Sequence, residues 1–318
     1  MKYFFTITGG GTACIGKMLS KGGASSWFTG AYIPYSKDQI DNLLGREPEK
    51  YVSLDTALSL ASRSISVFGL NCNVVSCTSK LRDNSKPPFY PDGTKRLNYA
   101  YIAVLNQNDY TIKYKYVEFD SEKSREEQEE ELANILVSIP AGEFIPDITL
   151  LGDFDNSYPD ERIIFPGSFN PVTKNHLEIA DIVYNKTGSK PVFEISICNK
   201  DKGSISYEEA LVRSKAIVEA GYPVVIDHAP FFFDKVKELS HGHNISFIVG
   251  YDTLARINRD HSEEELKFFE KNYVKFLVFQ RENIDPFINK MSSCCEVISS
   301  YVDDGWSSTK ERESCCNG

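Results

Sequence analysis

The stretch "FPGSFNPVTKNHLEIA", residues 165–180, decides the fold of this chain. It runs from an apolar segment into a Gly-Ser turn, then Asn-Pro, a lone His176 and a helical pattern that we expect to begin near Thr173. A strand, a tight turn and a helix in this order favour anion binding, because the turn amides and the positive helix end face the ligand. Gly167 would let the backbone approach that ligand closely. The sequence therefore predicts a phosphate turn at residues 167–173.

A second segment, "KYFFTITGGGTACIGKMLS" from residue 2, opens in the same way. Between the two segments, helical patterns are found in "SLDTALSLASRSISVFG" and "SEKSREEQEEELANILVSI", and strand patterns in "NVVSCT" and "NYAYIAVLN". "PAGEFIPDITLLGDFDNSYPDE" then loses helical periodicity, and we place a domain boundary there, near residue 155. The expected domains are residues 1–150 and 160–318, in keeping with a length of 318 residues.

Strands and helices alternate after that boundary. The strand patterns are "PVFEISICN", "PVVIDHA", "NISFIVG" and "VKFLVFQR", and the helical ones are "SYEEALVRSKAIVEAG", "FFFDKVKELSHGH" and "EELKFFEKN". Alternating elements imply a parallel sheet with helices on both faces. In such a doubly wound α/β fold, ligands bind at the carboxyl ends of the strands, which is where the phosphate turn would lie.

Composition excludes several classes of function. The net charge of −10 argues against a general nucleic-acid binder, but a few local amides and cations suffice for a small anion. No apolar run is long enough for a bilayer, and "MKYFFTITGGGT" does not resemble a signal peptide, so we expect a cytoplasmic protein without a membrane partner. The eight cysteines form no C-x-x-C spacing, and we expect no metal held by protein side chains.

The motifs of the second half resemble the nucleotidylyltransferase superfamily, in particular the nicotinamide-mononucleotide adenylyltransferases of eukaryotes. The phosphate turn matches their Gly-Ser-Phe-Asn-Pro-x-Thr-x-x-His pattern, and "FIVGYDTLARI" resembles their Gly-x-Asp segment. "NKDKGSISYEEALVRSKAI" resembles their lysine-bearing loop and the helix with an arginine. "WSSTKER" resembles their closing Ser-Ser-Thr signature, with Trp306 in place of the usual isoleucine. The likeness covers about residues 160–313.

The resemblance implies transfer of AMP from ATP, with Mg²⁺, to nicotinamide or nicotinate mononucleotide, a step of NAD biosynthesis. The small-molecule partners would be these nucleotides. His176 and Lys202 are the expected catalytic residues, with Lys200 as the alternative lysine. The expected ATP-binding residues are Gly167, Ser168, Phe169, Thr173, His176, Ser307, Ser308, Thr309 and Arg312, and the expected acceptor-binding residues are Gly250 and Asp252.

Other interpretations of the same residues stay open. A single histidine after a turn often has only a structural hydrogen bond, and "SST" or Asp252 could simply cap a helix. The enzyme could use another phosphorylated acceptor. The chain could also be a nucleotide-binding scaffold or assembly subunit without activity.

The first half resembles the carboxy-terminal domain of the CinA family, whose active members deamidate nicotinamide mononucleotide. The likeness is carried by "GGASSWFTGAYIPYSKDQIDNLLG", "YVSLDTALSLA" and "NYAYIAV". It implies an α/β sandwich. The family's serine nucleophile falls on Thr8 and its lysine on Ile40, while Tyr35 is matched and Lys37 lies three residues from the expected lysine position. A hydroxyl nucleophile needs an adjacent base. We therefore expect a degenerate amidase site at Thr8, Tyr35 and Lys37, and a domain that could bind a nucleotide at "TGGGT" or form a homo-oligomer.

Overall fold

The computed structural model describes residues 1–106, 108, 111–152, 161–198, 203–240, 244–260, 262–279 and 292–298. The chain divides into two compact units, Met1–Thr149 (unit 1) and Leu150–Gly318 (unit 2). In these ranges no helix has both the length and the apolar character that a membrane crossing requires.

Unit 1 contains five strands and four α-helices in its described part, and one further strand straddles the boundary. Their bounds are β1 Tyr3–Thr8, α1 Ala13–Leu19, β2 Phe28–Tyr32, α2 Lys37–Leu44, α3 Leu54–Phe68, β3 Asn73–Lys80, β4 Asn98–Asn106, β5 Thr111–Phe119, α4 Arg125–Ala141 and, at the boundary, β6 Ile148–Leu151. The sheet order is β2-β1-β3-β4-β5. β1 is parallel to β2 and β3, whereas β4 is antiparallel to β3 and β5.

Alternate residues of β1 face two different helical layers. Phe5 and Ile7 are fully buried in a cluster with Leu132 of α4 and with residues of α1. Phe4 points the other way and packs in a cluster with Ala61 of α3. Unit 1 is therefore an α/β sandwich, since the sheet is covered by helices on both faces.

Unit 2 is built from strands that alternate with helices. Its described elements are β7 Glu161–Pro166, α5 Lys174–Thr187, β8 Val192–Ser196, α6 Tyr207–Glu219, β9 Val224–Asp227, α7 Phe232–Leu239, β10 Asn244–Gly250, α8 Tyr251–Asp260, α9 Glu263–Lys271, β11 Lys275–Phe279 and β12 Cys295–Ile298. The sheet order is β12-β11-β10-β7-β8-β9, and the pairings within it are parallel. The predicted doubly wound parallel sheet is confirmed.

Helices cover both faces of this sheet as well. One face packs Phe165, Phe193 and Ile226 in a cluster with apolar residues of α5 and α6. On the other face, the rings of Phe247 and Phe276 stack at 5.8 Å, and Phe232 of α7 packs edge-on against Phe247 at 5.0 Å. The sheet is thus sandwiched, and its carboxyl edge is where loops can bind a ligand.

Candidate functional site

The strand order of unit 2 reverses between β7 and β10. β7 is followed in the chain by β8 and β9 on one side of it, while β10, β11 and β12 extend the sheet on the other side. At such a reversal the loops leaving two adjacent strands diverge, and a crevice opens at the carboxyl ends. The phosphate turn leaves β7, and the Gly250–Asp252 segment leaves β10, so both sequence-predicted segments lie at this reversal.

The register of the two strands places these segments at one level. β10 and β7 are parallel, with Phe247 paired to Ile164. Three residues further along each strand lie Gly250 and Gly167. The two glycines that begin the predicted ATP-binding and acceptor-binding segments therefore each lie three residues beyond the last paired residues of these neighbouring strands.

Gly167 has no room for a side chain. Its N–H donates to the carbonyl of Glu194 on β8 at 3.0 Å, which extends the strand pairing into the turn. A Cβ at this position would lie 2.5 Å from the Cζ of Phe169. Phe169 itself has a φ of +40° and is 2% exposed, with its ring 4.9 Å from that of Phe193. Phe169 anchors the turn in the core, and only its backbone is placed to face a ligand.

Thr173 and His176 form the start of α5. Thr173 is the N-cap residue and is 2% exposed. Its backbone N–H donates to Nδ1 of His176 at 3.0 Å, and its Oγ1 lies 2.8 Å from the same nitrogen. Because Nδ1 accepts that N–H, it carries no proton, and the proton of the neutral imidazole is on Nε2. The capping contact thus makes Nε2–H of His176 a hydrogen-bond donor at the helix N-terminus.

Arg213 of α6 supports the phosphate turn through a hydrogen bond to its backbone. Its Nη1 donates to the Ser168 carbonyl at 3.0 Å, and its side chain, only 12% exposed, also pairs with Glu209. Oriented by that ion pair, the guanidinium holds one carbonyl of the turn in place. Sequence analysis marks the helix with an arginine, but assigns Arg213 no role.

Gly250 and Asp252 lie at the junction of β10 and α8. Gly250 ends the strand, and a Cβ there would be 3.0 Å from Oδ1 of Asp252, so the carboxylate folds back over the glycine. Asp252 is exposed in the first turn of α8. The carboxylate is therefore accessible to a polar partner at the carboxyl end of β10.

Several predicted site residues lie outside the described part of the chain. They are Lys200, Lys202, Trp306, Ser307, Ser308, Thr309 and Arg312. Their roles stay predictions.

Sequence reasoning missed a buried acid cluster made of Glu194, Asp227 and Lys235. Glu194 lies on β8, Asp227 ends β9 and Lys235 belongs to α7, with exposures of 1%, 0% and 5%. Lys235 Nζ is 2.6 Å from Glu194 Oε1 and 4.0 Å from Asp227 Oδ1. A charged residue inside the apolar strands "PVFEISICN" and "PVVIDHA" was the available signal, since Glu and Asp are rarely fully buried unless paired.

The protonation of this cluster departs from that of ordinary side chains. Burial, reinforced by the nearby Asp227 carboxylate, raises the pKa of Glu194 to about 8. Burial also raises the pKa of Asp227, against the opposing effect of Lys235. Burial lowers the pKa of Lys235, but the attraction of the two carboxylates outweighs it and the pKa is raised. Lys235 is therefore a cation throughout the neutral range.

In unit 1 the glycine turn, Gly9–Gly11, already holds an anion that belongs to the chain. Oε2 of Glu129, on α4, accepts the N–H of Gly11 at 2.6 Å, and Oε1 accepts the N–H of Ala13 at 3.1 Å. Oε1 also accepts the hydroxyl of Thr12 at 3.2 Å. The amides that would cradle a phosphate are used by this carboxylate, so a nucleotide at "TGGGT" would have to displace Glu129.

The residues of the expected degenerate amidase site are spread over different environments. Thr8 ends β1 and is 5% exposed, whereas Tyr35 is 67% exposed. Nζ of Lys37 lies 4.9 Å above the ring of Tyr51. Among the described residues no acid or base is hydrogen-bonded to the Thr8 hydroxyl. Nor, in those residues, do three or more His, Cys, Asp or Glu side chains come together in a way that could hold a metal ion.

Unit 2 thus belongs to the doubly wound α/β class, with its candidate site at the strand-order reversal. A scan against protein-family models finds no match for this chain, and a search of curated proteins finds none either.

Solved structures do show likenesses. A competence or damage-inducible protein from Enterobacter asburiae is 13% identical, with a TM-score of 0.33, and the match covers 44% of this chain and 87% of that one. A competence/damage inducible protein from Agrobacterium tumefaciens is 16% identical, with a TM-score of 0.36, over 44% and 84%. A Plasmodium falciparum nicotinic acid mononucleotide adenylyltransferase complexed with APC is 21% identical, with a TM-score of 0.35, over 48% and 82%. At these TM-scores the likenesses carry no inference about function.

Proposed function

We propose that the chain is an adenylyltransferase that transfers AMP from ATP to nicotinamide or nicotinate mononucleotide. One observation carries this proposal: the phosphate turn and the Gly250–Asp252 segment leave adjacent parallel strands at the strand-order reversal. A triphosphate at the first and an acceptor nucleotide at the second would lie within reach of each other. Transfer of a nucleotidyl group depends mainly on such positioning and on charge stabilisation.

The reaction follows from this placement. A phosphate oxygen of the mononucleotide attacks the α-phosphorus of ATP, a new P–O bond forms, and the bond to the bridging oxygen breaks as pyrophosphate leaves in line. The amides of the phosphate turn and the N-terminus of α5 offset the negative charge. Nε2–H of His176 donates to a phosphate oxygen, and losing one preorganised donor of this kind costs about 10²–10³ in rate.

The remaining roles rest on the motif resemblance. Ser307, Ser308, Thr309 and Arg312 would bind the outer phosphates, and Lys202 or Lys200 would reach the triphosphate from its loop. Asp252 would bind the ribose or the pyridine side of the acceptor. Mg²⁺ would arrive with ATP as part of the substrate and neutralise the triphosphate.

The test is a pyrophosphate-release assay with ATP, Mg²⁺ and each mononucleotide in turn. We expect release with at least one of them, and loss of release in His176→Ala. Lys215→Ala is the matched control, because Lys215 is 79% exposed on α6 and its ion pair within the described residues is with the exposed Glu219. Pyrophosphate release with a different phosphorylated acceptor, and with neither mononucleotide, would keep the adenylyltransferase reaction and change the proposed acceptor. If calorimetry shows ATP binding but no acceptor gives pyrophosphate release, the proposed activity is overturned in favour of a nucleotide-binding scaffold.

For unit 1 we infer that deamidase activity is absent. Thr8 has no base on its hydroxyl among the described residues, and Glu129 fills the glycine turn. Incubation with nicotinamide mononucleotide should release no ammonia. Ammonia release by the wild type would overturn the inference, and the Thr8→Val variant would then show whether Thr8 or another residue is the nucleophile.

A further inference from the structure

The acid cluster has one more acidic group than it has basic groups. Two carboxylates and one ammonium sum to −1 when all three are ionised, and these groups are 1%, 0% and 5% exposed. An uncompensated charge in a buried site is strongly unfavourable even after relaxation. The cluster is neutral if one carboxyl keeps a proton.

The hydrogen bonds show where this proton belongs. Lys235 Nζ donates to Glu194 Oε1 at 2.6 Å and to the Ala229 carbonyl at 2.7 Å. Asp227 Oδ1 accepts the N–H of Ala229 at 3.1 Å. Asp227 Oδ2 is buried, and no side chain or backbone N–H of the described residues donates to it. A buried acceptor left without a donor is destabilising, and a protonated carboxyl of Glu194 would supply the missing donor.

We propose that Glu194 and Asp227 share one proton at neutral pH, and that the acid cluster is a buried pH-sensitive switch holding α7 to the carboxyl edge of the sheet. With the proton present, the cluster is neutral and Lys235 is bound from both strands. When the proton leaves, the cluster carries an excess negative charge in a dry site. This proposal is independent of the adenylyltransferase reaction.

Among the described residues, the charged groups for which contacts are known do not place a second cation on the two carboxylates. Glu238, on α7, adds negative potential at both Asp227 and Lys235. Arg162 of β7 donates to the Leu239 carbonyl at 2.6 Å, at the far end of α7. His228 directly follows Asp227 in the chain. The mutual effect of the carboxyls agrees with the assignment, because a hydrogen bond donated by Glu194 to Asp227 would raise the pKa of Glu194 and lower that of Asp227.

The switch also adjoins the candidate site. The backbone carbonyl of Glu194 accepts the N–H of Gly167 at 3.0 Å, so one residue carries both the shared proton and the first anchor of the phosphate turn. α7 and the turn are therefore connected through a single residue of β8.

The sign of the pH effect follows from linkage. The pKa of Glu194 is raised from 4.5 in the unfolded chain to about 8 in the fold. The folded state thus holds a proton that the unfolded state has lost, and stability falls as pH rises between these two values. The stabilisation from the bound proton is fully present below pH 4.5, is lost as pH rises toward 8, and does not change further above that pH. In this window the unfolding equilibrium constant should rise by up to about tenfold per pH unit from this group.

The experiment compares urea unfolding of the full chain at pH 5.5, 6.5 and 7.5 with that of Glu194→Gln. Glutamine mimics the protonated acid: its oxygen can accept from Lys235 and its amide can donate to Asp227. We expect the unfolding constant of the wild type to rise by up to about 100-fold relative to Glu194→Gln over these two pH units. Asp227→Asn should flatten the profile as well, since either amide leaves one carboxylate for one ammonium.

Glu219→Gln is the matched control and should follow the wild type, because Glu219 is 65% exposed on α6. Parallel profiles for Glu194→Gln, Asp227→Asn and wild type would overturn the proposal. If neither variant folds, the wild type decides it: infrared difference spectra between pH 6 and pH 9 should show loss of a protonated-carboxyl band. Absence of that band would overturn the proposal, whatever the outcome of the pyrophosphate assay.

Discussion

Arg213 donates from Nη1 to the carbonyl of Ser168 at 3.0 Å, so a helix that follows β8 holds the turn that follows β7. The arginine Nε is buried and has no hydrogen-bond partner among the described residues, whereas both outer nitrogens are hydrogen-bonded, one to Ser168 and one to Glu209. Its place is behind the turn, where it positions the amides that would bind phosphate.

Arg213→Ala should therefore reduce kcat/KM for ATP by about 10–100-fold, since a small displacement far from the reacting atoms can cost this much. Arg213→Lys should recover little of the loss, because an ammonium cannot bridge Ser168 and Glu209 as a planar guanidinium does. Steady-state kinetics with Lys215→Ala as the control checks this. Unchanged kcat/KM in Arg213→Ala would show that the turn keeps its place without the brace.

His176→Ala should lose both a helix cap and the proposed catalytic hydrogen-bond donor. We expect about 1 kcal/mol of lost stability from the cap and a fall of about 10²–10³ in kcat from the donor. His176→Gln separates the two effects, because glutamine at this position can accept the N–H of Thr173 in a capping box. It should restore stability in urea unfolding while kcat stays low. If kcat and stability recover together, the histidine has only the structural role.

Glu129→Ala should destabilise unit 1 by about 2–3 kcal/mol, because it leaves the amides of Gly11 and Ala13 without their charged acceptor. Urea unfolding followed by circular dichroism measures the loss. Glu131→Ala, on the same helix, is the control: its pair with Lys123 is half-exposed at 2.8 Å, and such surface pairs contribute about 0–1 kcal/mol. Equal losses in the two variants would argue that the carboxylate of Glu129 does not support the glycine turn.

Gly167→Ala should destabilise unit 2 and displace the phosphate turn. The new Cβ would meet the Phe169 ring at 2.5 Å, and forcing extra volume into a packed core costs about 1–3 kcal/mol. ATP binding by calorimetry should weaken in parallel. Gly16→Ala in α1 is the control, since nothing lies within 4 Å of that Cβ position, and it should be neutral or stabilising.

The fold of unit 2 could be predicted because its local signals agree with its tertiary structure. Each of β7, β8, β9 and β10 is a short apolar run followed by a helical pattern, and only parallel pairing satisfies that alternation. The strands of unit 1 are harder to predict. The sequence analysis does not predict β5, "TIKYKYVEF", because its polar residues and tyrosines give a weak apolar signal even though apolar and polar residues alternate along it. β2 of unit 1 and β12 of unit 2 are short strands that contain a glycine and a glutamate, respectively, and no pattern predicts them.

The candidate site divides in the same way. The Thr173–His176 pair is local, so its motif could be read from the sequence. The acid cluster could not be, because Glu194 and Asp227 become neighbours only through the register that pairs Ser196 with Asp227. Glu129 is 118 residues from Gly11 and carries no local signal of its partner. Tertiary pairings of this kind depend on the whole sheet.

A ligand that is built into the chain is present at a fixed effective concentration, which for short connections reaches the millimolar range. Glu129 stands in this relation to the glycine turn of unit 1, so a free nucleotide would have to compete with it for the amides of Gly11 and Ala13. Only a ligand present above that effective concentration, or one that binds these amides more tightly than a carboxylate does, would occupy the turn.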